Sequence, residues 1–164
     1  MDWADVLKDE TLRDLPYKVE LNEWGKIVLS PAGNRHGMLQ AELAWRLREE
    51  IGEGGIVVEC SIRTAKGVKV ADVAWGSRAF FRRNGEATPY EEAPELCVEI
   101  VSPSNSAREM EEKAALYFSS GAKEVWICKE DGELEFREEG GRLEASALFP
   151  GTPCRVPLQE AFWV

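Results

Sequence analysis

The sequence predicts a mixed α/β or α+β domain, a β-sheet carrying two main helices and ending in a three-strand antiparallel tail. Three observations predict it. Residues 35–51 and 106–120 repeat apolar side chains at helical spacing. Short runs rich in Val, Ile and Trp are bounded by glycine, proline or Asp-Gly turns, as strands are. Over 164 residues there is no repeat, no low-complexity tract and no linker, which implies a single domain spanning 1–164.

Residues 2–15 place Trp3, Val6, Leu7 and Leu12 among acids and stop before Pro16, which predicts a short amphipathic helix. Residues 17–24 and 26–30 read as two strands about Gly25. Pro31 to Asn34 is a loop. The helix over 35–51 aligns Leu39, Leu43, Leu47 and Ile51 on one face, and Gly52 with Gly54 and Gly55 ends it. Strands over 56–64 and 68–75 follow, joined by a tight turn at Ala65-Lys66-Gly67. Residues 76–93 are loop-like, with a helical turn near 78–83. Pro94 precedes an apolar strand over 95–101. Ser102-Pro103-Ser104-Asn105-Ser106 offers capping oxygens to the second main helix, which Gly121 closes. Residues 123–128 form a further strand. Asp131-Gly132 and Gly140-Gly141 then turn the chain into two more, over 133–137 and 142–145.

Composition removes several classes of function. No apolar run approaches the roughly 18 to 20 residues of a membrane helix. The start, Met-Asp-Trp-Ala-Asp-Val, has no basic or apolar leader, so a cytoplasmic protein is expected. Cys60, Cys97, Cys128 and Cys154 form no CxxC pair, which argues for reduced thiols rather than zinc or disulfides. Twenty Lys and Arg against 30 Asp and Glu give a formal net charge of −10. Such a chain binds nucleic acid only through a locally basic surface.

Chemistry is concentrated in charges that interrupt apolar runs. Strand alternation puts Glu99 on a face with Cys97 and Val101, and Asp72 on a face with Val70 and Ala74. An ionised carboxylate buried alone costs several kcal/mol, so each calls for a cation, a metal or a proton donor, unless it lies at a sheet edge. On the second helix Lys113 falls beside Met110 and Tyr117, on the inner flank. A lysine there can also simply lay its stem over the core. Asp, Glu and Lys converging on one point would suit Mg²⁺-dependent phosphodiester hydrolysis, two hard oxygen ligands for the metal and an ammonium for water or phosphate charge. A pair of carboxylates also serves glycosidases, which would not call for the lysine. Two carboxylates so close should raise at least one pKa without metal, and Asp72→Asn is then expected to cost no stability.

The arrangement resembles the Uma family of restriction-endonuclease-like proteins, in the PD-(D/E)XK nuclease superfamily. Tyr17-Lys18-Val19-Glu20-Leu21 resembles its early strand bearing a glutamate, and Ser30-Pro31 with His36 and Leu39 its entry to the first helix. Val70-Ala71-Asp72-Val73 is similar to its Pro-Asp-Val strand, with Ala71 for the proline. The run from Leu96 to Ser104 resembles its Glu-Val-Leu-Ser-Pro-Ser strand and cap. Lys113, Tyr117 and Gly121 before Glu124-Val125-Trp126 resemble the stretch before its Glu-Tyr-Trp strand, and Phe149-Pro150-Gly151 also fits. Val101 stands where the superfamily motif carries lysine, and Lys113 is the lysine in the following helix that would replace it.

The resemblance implies a restriction-endonuclease-like mixed sheet flanked by helices. It implies an endonuclease of DNA using Mg²⁺ or Mn²⁺, with Asp72, Glu99 and the backbone carbonyl of Ile100 as ligands and Lys113 and Glu20 in catalysis. Glu42 and His36 are further candidates. Duplex-cutting relatives imply a homodimer, for which Phe80, Phe81 and Tyr90 are interface candidates. Arg78, Arg82 and Arg83, with Arg35, Arg63, Lys66 and Lys69, are the cations available to phosphates. A nuclease-like module that binds nucleic acid or assembles without cleaving is the alternative.

Overall fold

The computed structural model describes residues 1–158 and Trp163, so residues 159–162 and 164 of the expected domain lie outside the described residues. Asp2 caps the first helix, α1 (Trp3–Lys8), through a reciprocal pair of bonds with Asp5. Asp9 then leaves the helical region, and its carboxylate accepts from the N–H and hydroxyl of Thr11. That local alternative to the helical bond splits the helix expected over 2–15, leaving a separate 3-10 turn at Glu10–Leu12. Strands β1 (Tyr17–Leu21) and β2 (Ile27–Pro31) form an antiparallel hairpin. The first strand stops short of the expected Trp24 because the Asn22 side chain accepts from the N–H groups of Trp24 and Lys26.

Helix α2 (Asn34–Glu50) buries Leu39, Leu43 and Leu47 as its spacing requires. Next come β3 (Gly55–Thr64), β4 (Gly67–Gly76) and the short α3 (Arg78–Asn84), capped by Ser77. Strand β5 (Leu96–Ile100) leads to α4 (Ala107–Ser119), whose start is a reciprocal Ser106–Glu109 cap. Gly121, with φ 115°, lets the chain leave α4 for β6 (Glu124–Cys128), which is followed by β7 (Leu134–Glu138) and β8 (Gly141–Leu143).

Six strands form one sheet in the order β3-β4-β5-β6-β7-β8, while β1 and β2 form a sheet of their own. Every pairing in the larger sheet is antiparallel except β5 with β6, where α4 is the crossover that parallel neighbours need. β6, β7 and β8 are the expected antiparallel extension.

The two faces of the sheet carry separate cores. Leu96, Val98, Ile100 and Trp126 pack with Leu39, Leu43 and Leu47 of α2. Cys97, Val125 and Ile127 pack on the other face with Met110, Ala114 and Tyr117 of α4. Burial on both faces explains why β5 and β6 are uniformly buried. A third cluster joins Trp3, Val6 and Leu21 to Val68 and Val70, fixing α1 and the hairpin over the first half of β4. Buried Glu124 anchors the segment beyond β8, accepting from Ser146 Oγ and the N–H groups of Ala147 and Leu148, and also from the Trp126 indole. Of the three aromatic residues expected at a subunit interface, two are buried within the domain and Phe81 is half-buried. Phe80 and Tyr90 are buried and meet edge to face, with Phe81 packed against the same cluster.

Among the described residues no helix is long and apolar enough to cross a membrane. Cys60, Cys97 and Cys128 are buried free thiols, and Cys154 is exposed and free.

Candidate active site

β4 and β5 pair only at Val73–Val98, Ala74–Cys97 and Trp75–Leu96. Just past this short ladder lie Asp72 and Glu99. Asp72 Oδ2 accepts from the Ile100 N–H at 2.7 Å, so the side chain continues the bonding between strands whose backbones no longer pair. Glu20, from β1, accepts from the Val70 N–H of β4 at 2.9 Å, linking the two sheets.

Simple alternation fails at Asp72. Val70 belongs to the cluster under the hairpin, whereas Ala71 and Ala74 both belong to the α4 side. Directly across the hairpin register, Glu59 has a positive φ of 52° and interrupts the β3–β4 pairs. Gln40 of α2 spans the irregularity, donating to the Asp72 carbonyl at 2.8 Å and to Glu59 Oε1 at 2.6 Å. The bend carries the Asp72 carboxylate towards β5.

Three buried acids converge there on two lysines. Lys18 Nζ stands 2.9 Å from Asp72 Oδ1 and 3.2 Å from Glu99 Oε2. Lys113 Nζ, from α4, stands 2.8 Å from Glu20 Oε1 and 3.2 Å from Glu99 Oε2. One helical turn further on, the Tyr117 hydroxyl donates to Glu99 Oε1 at 2.5 Å. His36, at the start of α2, places Nε2 3.2 Å from Asp72 Oδ1, and its Nδ1 is buried without a hydrogen-bond partner.

Sequence reasoning placed Asp72 and Glu99 on adjacent strands aimed at one point, with Lys113 within reach of one of them, and the structure brings all three together with Glu20. Ile100 enters through its N–H. Glu42 does not join: it accepts from Arg46 along α2 at 2.8 Å. Lys18 is the residue that sequence reasoning missed. A Lys-Val-Glu run in a hairpin strand gives a sound signal that Lys18 and Glu20 share a face, and none for what that face meets.

The balance of burial against the shared cations differs from acid to acid. Burial opposes ionisation of Asp72, but Lys18, His36 and the Ile100 N–H outweigh it and bring its pKa down to about 2. For Glu99 burial prevails over Lys113 and Lys18, helped by the neighbouring charges of Asp72 and Glu20, and its pKa is raised. Glu20 is lowered: burial raises it, and Lys113 and Lys18 more than compensate. Burial alone would lower Lys18, yet Glu99, Asp72 and Glu20 together hold it well above the ordinary lysine range. The three acids thus favour the ammonium form of Lys18.

Outside Glu20 and Lys113 opens a cleft of about 330 Å³ between the hairpin tip and α4, edged by Trp24, Lys66, Lys69 and Asn105. Arg78 and Arg83 are not part of it. They pair with Glu53 at 3.9 Å and Glu92 at 3.0 Å.

The donors expected for a cation, the carboxylates of Asp72 and Glu99 with the Ile100 carbonyl, are hard oxygens that suit Mg²⁺ or Mn²⁺ in kind. In the arrangement described, each oxygen of both carboxylates already has a protein partner. Among the described residues no three His, Cys, Asp or Glu side chains are disposed as a ready metal cage.

Residues 9–158 match the model of the Uma2 family, described as "Putative restriction endonuclease". The chain belongs to the Uma2 family. Its fold is similar to a solved structure described as "a putative nuclease belonging to DUF820" from Anabaena variabilis. That likeness has a TM-score of 0.62 at 17% identity and covers 82% of this chain and 73% of the other. The Uma2 fold is thus of the broad PD-(D/E)XK kind expected from the motifs. No curated protein matches the chain.

Proposed function

We propose that this Uma2 protein is a metal-dependent endonuclease hydrolysing DNA phosphodiester bonds. One observation carries the reading: Asp72 and Glu99, from adjacent strands, gather with Lys113, from the crossover helix, and Lys113 itself lines a lysine-edged cleft just outside them. Asp72, Glu99 and the Ile100 carbonyl would hold Mg²⁺ or Mn²⁺. When bound, such an ion supplies Lewis-acid charge to a scissile phosphate and makes a nearby water more acidic.

The remaining chemistry belongs to side chains of this chain. Lys113 keeps its ammonium beside Glu99 and faces the cleft, where it can orient the attacking water and share the charge that builds on the phosphate oxygens. Glu20 fixes Lys113 from the other side at 2.8 Å, so the lysine is aimed by two acids. Tyr117 holds Glu99 in one rotamer through its other oxygen. Val101 at the superfamily's lysine position is then no obstacle, because Lys113 reaches the same acid from α4.

A second reading, a nuclease-like module that binds nucleic acid without cutting, is favoured by Lys18, whose ammonium already bridges the acid pair. Cleavage of supercoiled and single-stranded DNA across Mg²⁺ and Mn²⁺ concentrations separates the two. The enzymatic reading expects cleavage that Lys113→Met abolishes while folding and metal binding survive. A methionine variant that cuts at the parental rate removes the assigned role of Lys113, and a parent that binds DNA but never cuts it favours the module.

A further inference from the structure

The hydrolytic reading gives Lys18 no task. β1 brings it in from the hairpin, and its ammonium contacts one oxygen of Asp72 and one of Glu99 at 2.9 and 3.2 Å, with the side chain 10% exposed. These are the two residues assigned to the metal. A cation held jointly by Asp72 and Glu99 needs the oxygens that the ammonium now occupies, and two cations that close repel strongly where little water screens them. Lys113 stands in a different relation: it touches Glu99 and Glu20 but has no bond to Asp72.

The charge balance gives the same picture. Glu20, Asp72 and Glu99 are buried, and Lys18 and Lys113 are the ammonium groups among them. Without Lys18, three buried carboxylates would face one ammonium, a costly state for a folded chain and a strongly attractive one for a divalent ion. Resting on the metal-dependent reading above, we infer that Lys18 is a built-in counter-cation that competes with the divalent metal. It holds Asp72 and Glu99 together in the metal-free protein, and metal enters as its ammonium withdraws. The affinity of the site for metal is then set by this internal competitor as much as by the ligands.

The test is calorimetric titration of Mn²⁺ into the parent, Lys18→Met and Lys18→Gln, with thermal denaturation of each at several Mn²⁺ concentrations and no DNA present. Both variants are expected to melt below the parent without metal, yet to bind Mn²⁺ at least tenfold more tightly and to gain more Tm from it. A folded variant that binds Mn²⁺ no better than a binding-competent parent overturns the competition. In that case, loss of binding in Asp72→Asn shows that the metal-dependent reading still stands. Absence of Mn²⁺ binding in the parent and both variants overturns the two together. Should neither variant fold without metal, recovery of folding on refolding with Mn²⁺ supports the inference, and failure to recover overturns it.

Discussion

Neutralising Asp72 and neutralising Glu99 are expected to shift folding stability in opposite directions, because the fold favours the charged form of one and the neutral form of the other. Asp72 is held at about 2 against an ordinary 3.8. That difference corresponds to stability on the order of 2 kcal/mol, complete above about pH 4 and lost as pH falls towards 2. Glu99 is raised, so its penalty is absent below the ordinary glutamate value and grows as pH rises through the elevated one. Asp72→Asn should therefore lose about 2 kcal/mol in metal-free urea denaturation at pH 7, contrary to the neutral outcome expected from sequence. Glu99→Gln should match or exceed the parent at the same pH, and its advantage should shrink as the pH is lowered. The reverse order of stabilities would mean that the charges are shared differently. The contrast also marks what residue-level reading could reach. Asp72, Glu99 and Lys113 were legible as charges interrupting apolar patterns. Lys18 was not, because its partners lie 54 and 81 residues away and its own strand alternates as any exposed hairpin does.

At the scale of elements, the site depends on how the β1–β2 hairpin docks against the β3–β4 turn. Gly67 begins β4 with φ 85°, and a Cβ there would lie 2.3 Å from the Leu21 carbonyl oxygen and 2.5 Å from that of Asn22. These oxygens belong to the last residue of the hairpin strand that carries Lys18 and Glu20 and to the residue that follows it. Gly67→Ala should cost about 2 kcal/mol or more, from the left-handed backbone and the forced retreat of β1. The same change should slow metal-dependent DNA cleavage by displacing Glu20, and with it the support of Lys113. Gly37→Ala is the control, since nothing lies near its added methyl in α2 and alanine favours helix by roughly 1 kcal/mol. Equal melting temperatures for Gly67→Ala and the parent would disprove this coupling. Caps and turns made most elements legible: Ser106, Gly121 and Asp131-Gly132 act where they were expected. The break at Asp9 and the irregularity at Glu59 were hidden, because each replaces a regular backbone bond with a local side-chain one or a single unusual φ.

For the molecule as a whole, the sheet order and the antiparallel extension follow from short turns, and α4 had to be a crossover once it separated two buried strands. The surface that would meet DNA was less legible, since it depends on which cations acids elsewhere in the chain have already claimed. Arg63, Arg78 and Arg83 are paired with Glu91, Glu53 and Glu92, and Arg78, Arg82 and Arg83 do not edge the cleft outside Glu20 and Lys113. Lys66 and Lys69 do edge it, on the path by which a phosphate would approach Lys113, and Lys66 would exchange its partner Glu112 for the phosphate. With a net charge of −10, binding must be weak and steep in salt, each phosphate contact adding about 0.9 to the log–log slope on B-DNA. The nuclease reading therefore expects replacement of both Lys66 and Lys69 by alanine to make that slope shallower by about 2, measured by fluorescence anisotropy with a labelled duplex in Ca²⁺ to avoid cleavage. Replacing Arg78, Arg82 and Arg83 together should leave the slope unchanged, against the expectation from sequence. If the arginine variant loses slope and the lysine variant does not, DNA lies along α3, and the cleft beside Lys113 is not its path to the acids.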